Sequence, residues 1–130
     1  MPRVYYALDL QDDPDLIEEY ERWHRRDRIW PEIVHSLHSA GIEEAEIFRT
    51  GTRLVLVLQV GNDFDAEKKS TADSANPRVA AWEALMWKYQ KSLPWARLGE
   101  KWVAMRRIFS LSEVSAEPGT PSNGSSSEIA

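Results

Sequence analysis

The stretch that most restricts the fold is IEEAEIFRTGTRLVLVLQV, residues 42–60. Two strand-forming runs, 42–49 and 53–60, flank Thr50-Gly51-Thr52, and a tight glycine turn between such runs makes an antiparallel hairpin. The run from Leu54 to Leu58 is apolar without a break. That pattern predicts a strand covered on both faces. A sheet is therefore required, and the rest of the chain must supply its other strands and its cover.

The segments around the hairpin do so. Residues 3–10, RVYYALDL, are strand-like and stop at Gln11-Asp12-Asp13-Pro14. Asp13 is a good N-cap and Pro14 suits a first helical position. Leu16, Ile17, Tyr20 and His24 fall close to one helical stripe, with Trp23 and Asp27 beside it. A second short helix runs over 31–40, with Ile33, Val34 and Leu37 as its apolar face and Gly41 as its cap. After the hairpin, 64–71 is a short polar helix. Residues 77–90 make a strong helix with Trp82, Leu85, Met86 and Tyr89 at helical spacing. Residues 93–99 read as a loop and 102–111 as a last strand. The order β-α(α)-β-β-(α)α-β is the split βαβ, ferredoxin-like pattern, an α+β fold with helices on one face of a four-stranded antiparallel sheet. Tyr6, Leu8, Leu56 and Leu58 are expected on the other face. They would leave an apolar patch in water unless a second copy covers it. The expectation is a homodimer of the dimeric α/β-barrel type, its sheets face to face. Residues 112–130 are rich in Ser, Gly, Pro and Glu and are expected to be a disordered tail, leaving 1–111 as one domain.

Composition excludes several functions. A net charge of −5 argues against a nucleic-acid partner, and Arg22, Arg25, Arg26 and Arg28 are balanced by Glu18, Glu19, Glu21 and Asp27. No run approaches the roughly 20 apolar residues that span a bilayer. MPRVYYALDL lacks the regions of a signal peptide, and there are no cysteines to pair or to attack a substrate. A cytoplasmic protein without membrane or nucleic-acid partners is expected. His35 and His38 stand three apart, but no third ligand converges with them, so no metal site is expected. No glycine-rich phosphate loop or nucleophile elbow is present.

Two groupings carry chemistry. Tyr20 and His24, at i and i+4, share a helix face and can point into one cleft. A neutral imidazole gives and accepts protons near pH 7, and a phenol beside it can orient a hydroxyl-bearing ligand. On spacing alone, such a pair also fits a packed core. The chain holds six tryptophans, whose flat apolar faces suit cores and sugar rings alike. Trp82 and Met86 read as core. Trp87, about 100° round the helix from Met86, is the candidate platform.

The runs EEYERWH and IWPE, the SAGI before the hairpin and MWKYQKSLP together resemble the L-rhamnose mutarotase family, over residues 3–111. The resemblance implies a small cofactor-free dimer with a ferredoxin-like α+β fold that interconverts the anomers of a 6-deoxy sugar. It implies that His24 is the proton donor, that Tyr20 contacts the sugar, and that Trp87 is the second tryptophan of a Trp-Trp pair. Trp30 and Tyr89 complete the implied substrate-binding set. Met86 stands in place of the first tryptophan of the pair, and Ala45 in place of a strand tyrosine. Trp82, Trp95 and the GEKW around Trp102 resemble a subgroup associated with L-fucose. Two other readings stay open: a cofactor-free dimeric α+β-barrel monooxygenase acting on aromatic substrates, and a non-catalytic small-molecule-binding dimer.

Overall fold

Strands β2 (Ile42–Thr50) and β3 (Arg53–Val60) form the hairpin in the computed structural model, which describes residues 2–115. Thr50 pairs with Arg53, so Gly51 and Thr52 alone make the turn. Gly51 has φ 57°, and no non-glycine residue among those described has a positive φ. A positive φ at the first turn residue only is the type II′ combination, which matches the twist of the strands.

A bulge between Ile42 and Glu44 then decides which side chains face inward. An extra residue shifts the alternation by one, and a shift of one exchanges the faces. Ala45 comes opposite Leu58 and Ile47 opposite Leu56, on the inner face, while Glu44, Glu46 and Phe48 turn outward. Without the bulge two glutamates would lie under the helices.

The sheet order is β2-β3-β1-β4, antiparallel throughout, with β1 (Arg3–Leu10) in the middle. Its second edge is shared. The short strand β4 (Gln90–Lys91) pairs with Leu10 and Asp9, and β5 (Val103–Ala104) pairs with Ala7 and Tyr6. The fourth strand of the ferredoxin-like pattern is thus in two pieces, with 92–102 looping out between them. Helices α1 (Pro14–Trp23), α2 (Pro31–Ser39), α3 (Ala66–Ala75) and α4 (Pro77–Trp87) lie between strands in chain order. Asp13, Asp65 and Asn76 cap α1, α3 and α4 through their side-chain oxygens, and Pro31 starts α2. Gly41, at φ 85°, ends α2 with its N–H on the His38 carbonyl. The core packs Leu10 and Leu54 of the sheet against Tyr20, Trp82, Met86 and Tyr89, with a smaller cluster of Ile42, Leu58 and Val60.

Three expectations are corrected. Tyr6, Leu8, Leu56 and Leu58 face the helices rather than the outside. The outer face instead carries Tyr5 and Phe48, with Val55 and Val57 between them in register. The last strand does not run from 102 to 111. Continuing its register would set Arg107 against Arg3, like charges, and would carry Ile108 past the start of β1. The chain therefore leaves the sheet at Met105, whose N–H bonds the Tyr5 carbonyl. Finally, residues 112–115 belong to a short helix, α5 (Leu111–Ser115), rather than to a disordered tail. The rest of that expected tail, 116–130, lies outside the described residues.

Leu54 is 1% exposed at the centre of the core. Leu54→Ala should lower unfolding stability by about 2–5 kcal/mol, read from the urea midpoint at unchanged slope.

Candidate active site

One cleft of about 920 Å³ lies between the inner face of the sheet and the helices. That is at the upper end of the roughly 300–1,000 Å³ usual for ligand pockets. Tyr6, Leu56, Leu58, Ala45 and Ile47 of the sheet form its floor. Tyr20 and His24, Trp82, Glu83, Met86 and Trp87, then Gln90, Lys101 and Trp102 form one side. Lys69 and Asp73, which pair with each other, belong to α3 at its edge.

His24 is placed by the end of its own helix. Helix α1 stops at Trp23, and the His24 N–H turns back to the Glu21 carbonyl, three residues away. The Tyr20 carbonyl would otherwise be one of the unpaired acceptors of a helix C-terminus. The His24 side chain takes it, with Nδ1 2.8 Å from the Tyr20 oxygen. A carbonyl only accepts, so Nδ1 carries the proton and Nε2 holds a lone pair. Among the described residues Nε2 has no hydrogen-bond partner. The imidazole leans on the Tyr20 ring at 4.6 Å and meets the Trp82 ring edge-on at 5.6 Å. Burial lowers its pKa below the ordinary 6.5, a shift the Tyr20 carbonyl partly opposes. At neutral pH His24 is a neutral base.

The Tyr20 phenol is buried, and burial pushes its pKa up to about 12. It remains a hydrogen-bond donor across the physiological range. Its oxygen accepts from Gln90 Nε2 at 3.4 Å. The other end of that amide, Oε1, is buried and has no partner among the described residues. An unmet acceptor of this kind costs about 1–3 kcal/mol. Across the same wall Lys101 Nζ lies 4.8 Å from the centre of the Trp87 ring and donates to Glu83 at 2.5 Å. Burial lowers the Lys101 pKa against the pull of that carboxylate.

The structure thus brings Tyr20, His24 and Trp87 into one cleft and leaves the other two expected residues outside its lining. Trp30 packs behind Trp82 at 5.2 Å, with the Arg78 guanidinium stacked 4.0 Å from its ring centre. The Tyr89 hydroxyl is already committed: it donates to Glu19 and accepts from Trp23 Nε1 at 2.9 Å. Tyr89 and Trp30 hold the aromatic wall in place rather than face the cleft. Trp82, read as core, is both buried and part of the lining. Gln90, Glu83 and Lys101 were missed by sequence reasoning. Gln90 follows a helix and opens a two-residue strand, and no periodicity marks such a position. His35 Nε2 lies 3.3 Å from Ser39 Oγ, and no group of three His, Asp or Glu among the described residues is placed to hold a metal ion. No described helix is long and apolar enough to cross a membrane.

Known proteins resemble this chain in sequence and in shape. The family described as L-rhamnose mutarotase matches residues 3–111. The L-fucose mutarotase of Xanthomonas campestris pv. campestris is 54% identical over 121 residues, 92% of this chain and 97% of that one. The L-rhamnose mutarotase of Shigella flexneri is 31% identical over 83 residues, 64% of this chain and 72% of that protein. Among solved structures, an L-rhamnose mutarotase from Formosa agariphila aligns with TM-score 0.62 at 19% identity, covering 85% of this chain and 99% of that one. Tetracenomycin F2 cyclase from Streptomyces glaucescens aligns with TM-score 0.57 at 12% identity, over 85% of this chain and 98% of its own. At such identities these two likenesses bear on the fold alone.

The depressed pKa of His24 has a consequence for stability. Below 6.5 the unfolded chain binds a proton that the folded site refuses. Stability present above 6.5 should therefore be lost as pH falls through the folded value. Urea titrations across about pH 5 to 8 should show this slope, and His24→Gln should flatten it.

Proposed function

The chain belongs to the L-rhamnose mutarotase family, and on that premise we propose that it interconverts the α and β anomers of L-fucose, with His24 as the acid–base group. The enzyme is an isomerase. The observation that carries the reading is the free Nε2 of His24 in a cleft beside the Tyr20 phenol.

The chemistry follows from the tautomer. Nε2 takes the proton from the anomeric hydroxyl, and the imidazolium so formed gives it to the ring oxygen. The bond between C1 and the ring oxygen breaks and C1 becomes an aldehyde, with no net gain or loss of protons. Rotation about the C1–C2 bond and the reverse transfer close the other anomer. The neutral resting state of His24 suits the first transfer, and burial makes its imidazolium a readier acid for the second. Trp87 offers an apolar face for the pyranose, and Tyr20 donates to one of its oxygens. L-fucose is favoured over L-rhamnose because the relative similar over almost its full length bears that name. The two departures noted in the sequence, Met86 and Ala45, both line the cleft and touch sugar fit rather than proton transfer.

A homodimer is part of the same reading. Tyr5 and Phe48 stand exposed on the outer sheet face, and beyond the sheet Ile108, Phe109 and Leu111 are exposed, Ile108 to 86%. Apolar surface of this extent favours a second copy. The lack of any cysteine suits the reducing cytosol, the compartment assigned here.

His24→Ala should slow anomer exchange of L-fucose about 10²- to 10⁴-fold in saturation-transfer NMR. Full activity in that variant would refute the assignment. For the wild type, the rate should fall in acid with a midpoint below 6.5, as Nε2 becomes protonated. In sedimentation equilibrium the protein should run as a dimer and Phe48→Glu as a monomer. A monomeric wild type would remove the dimer from the proposal.

A further inference from the structure

We propose that Gln90 is a specificity residue of this site: Oε1 accepts a hydrogen bond from a ring hydroxyl of the sugar, and Nε2 turns the Tyr20 proton toward a second sugar oxygen. The inference rests on the mutarotase reading and adds a residue to it.

Gln90 is 4% exposed, yet it lines the cleft, and its Oε1 is the one buried side-chain polar atom without a partner among the described residues. The main chain that carries this side chain is tied to β1. Its residue pairs with Leu10 in the β1–β4 ladder, and its carbonyl accepts from Gln11 Nε2 at 3.1 Å. Both contacts hold the main chain to the end of β1. The two lysines of the cleft lining are paired elsewhere, Lys101 with Glu83 and Lys69 with Asp73. What remains is an unpaired acceptor on a residue of the cleft lining, which a hydroxyl donor of an occupant satisfies once the amide turns toward it. A pyranose presents a ring of hydroxyl donors, which is the complementary chemistry.

The other end of the amide does separate work. A hydroxyl that accepts from Nε2 keeps its own proton free, so Tyr20 donates outward. One glutamine thereby sets the hydrogen-bond polarity of two groups: an acceptor at Oε1 and a donor at Tyr20. A sugar hydroxyl placed between His24 and this pair must donate toward Oε1 and accept from the phenol. Such a pattern discriminates strongly, because an analogue lacking the hydroxyl leaves a buried group unpaired.

The test compares wild type, Gln90→Met and Gln90→Glu by thermal unfolding and by NMR anomer exchange on L-fucose and its mono-deoxy analogues, each lacking one ring hydroxyl. Methionine has similar length and fills the space without an unmet acceptor. Gln90→Met should therefore melt higher than wild type in the absence of sugar. A residue with a purely structural role would melt lower. The wild type should disfavour one deoxy analogue by about 10²-fold, Gln90→Met should treat that analogue and L-fucose alike, and Gln90→Glu, which keeps an acceptor, should restore the preference. A lower melting point for Gln90→Met, or undiminished discrimination in it, overturns the proposal while leaving the mutarotase reading intact. Absence of any anomer exchange in the wild type overturns both.

Discussion

The site depends on one hydrogen bond at the end of a helix. Helix α1 runs out at Trp23, and the last turn leaves the Tyr20 carbonyl in want of a donor. His24 supplies it from its side chain. That contact completes the helix terminus, fixes the imidazole plane and selects the tautomer, so a single bond does both structural and chemical duty. Remove it, and the ring is free to turn and either nitrogen can carry the proton. The bond joins residues four apart, so the basic group is held by local geometry that long-range packing need only protect.

Long-range packing provides that protection through aromatic rings. Trp82 lies at the centre, with His24, Trp23 and Trp30 each meeting its ring at a steep angle. Edge-to-face contacts of this sort fix mutual orientation as well as burying area. Behind them Tyr89 ties Trp23 to Glu19, and this hydrogen bond is the main reason the Glu19 carboxyl lies below its ordinary pKa. The imidazole is therefore backed by a wall in which Trp23 and Tyr89 have their polar atoms paired, and the unmet acceptor of Gln90 stands out against them.

Much of this was legible in the chain. The hairpin, the N-cap Asp13 with Pro14 at the first helical position, and the α4 stripe of Trp82 and Met86 all follow from local spacing, and the structure bears them out. What was not legible depends on neighbours far along the chain. The bulge at Ile42/Glu44 reverses the faces of β2, yet no turn residue announces it. The strand expected over 102–111 has strand-forming residues, but β1 is too short to pair with it. Trp30 and Tyr89 were expected in the site because they fall in the IWPE and MWKYQKSLP runs that carry the resemblance. Which side of Trp82 each one takes is decided by packing, and both fall on the far side from the cleft. Gln90 was passed over because its meaning lies in an acceptor left unpaired, a property only coordinates reveal.

The divided fourth strand has an evolutionary corollary. Because β4 and β5 each grip β1 separately, the intervening 92–102 segment hangs from the sheet by two anchors. It delivers Lys101 and Trp102 to the cleft from outside the sheet's own alternation. Insertions or exchanges there reshape one bank of the binding site without disturbing either ladder, and they leave the terminus of α1 untouched. Exchanges of this kind alter the lining of the cleft while the His24–Tyr20 contact is kept whole.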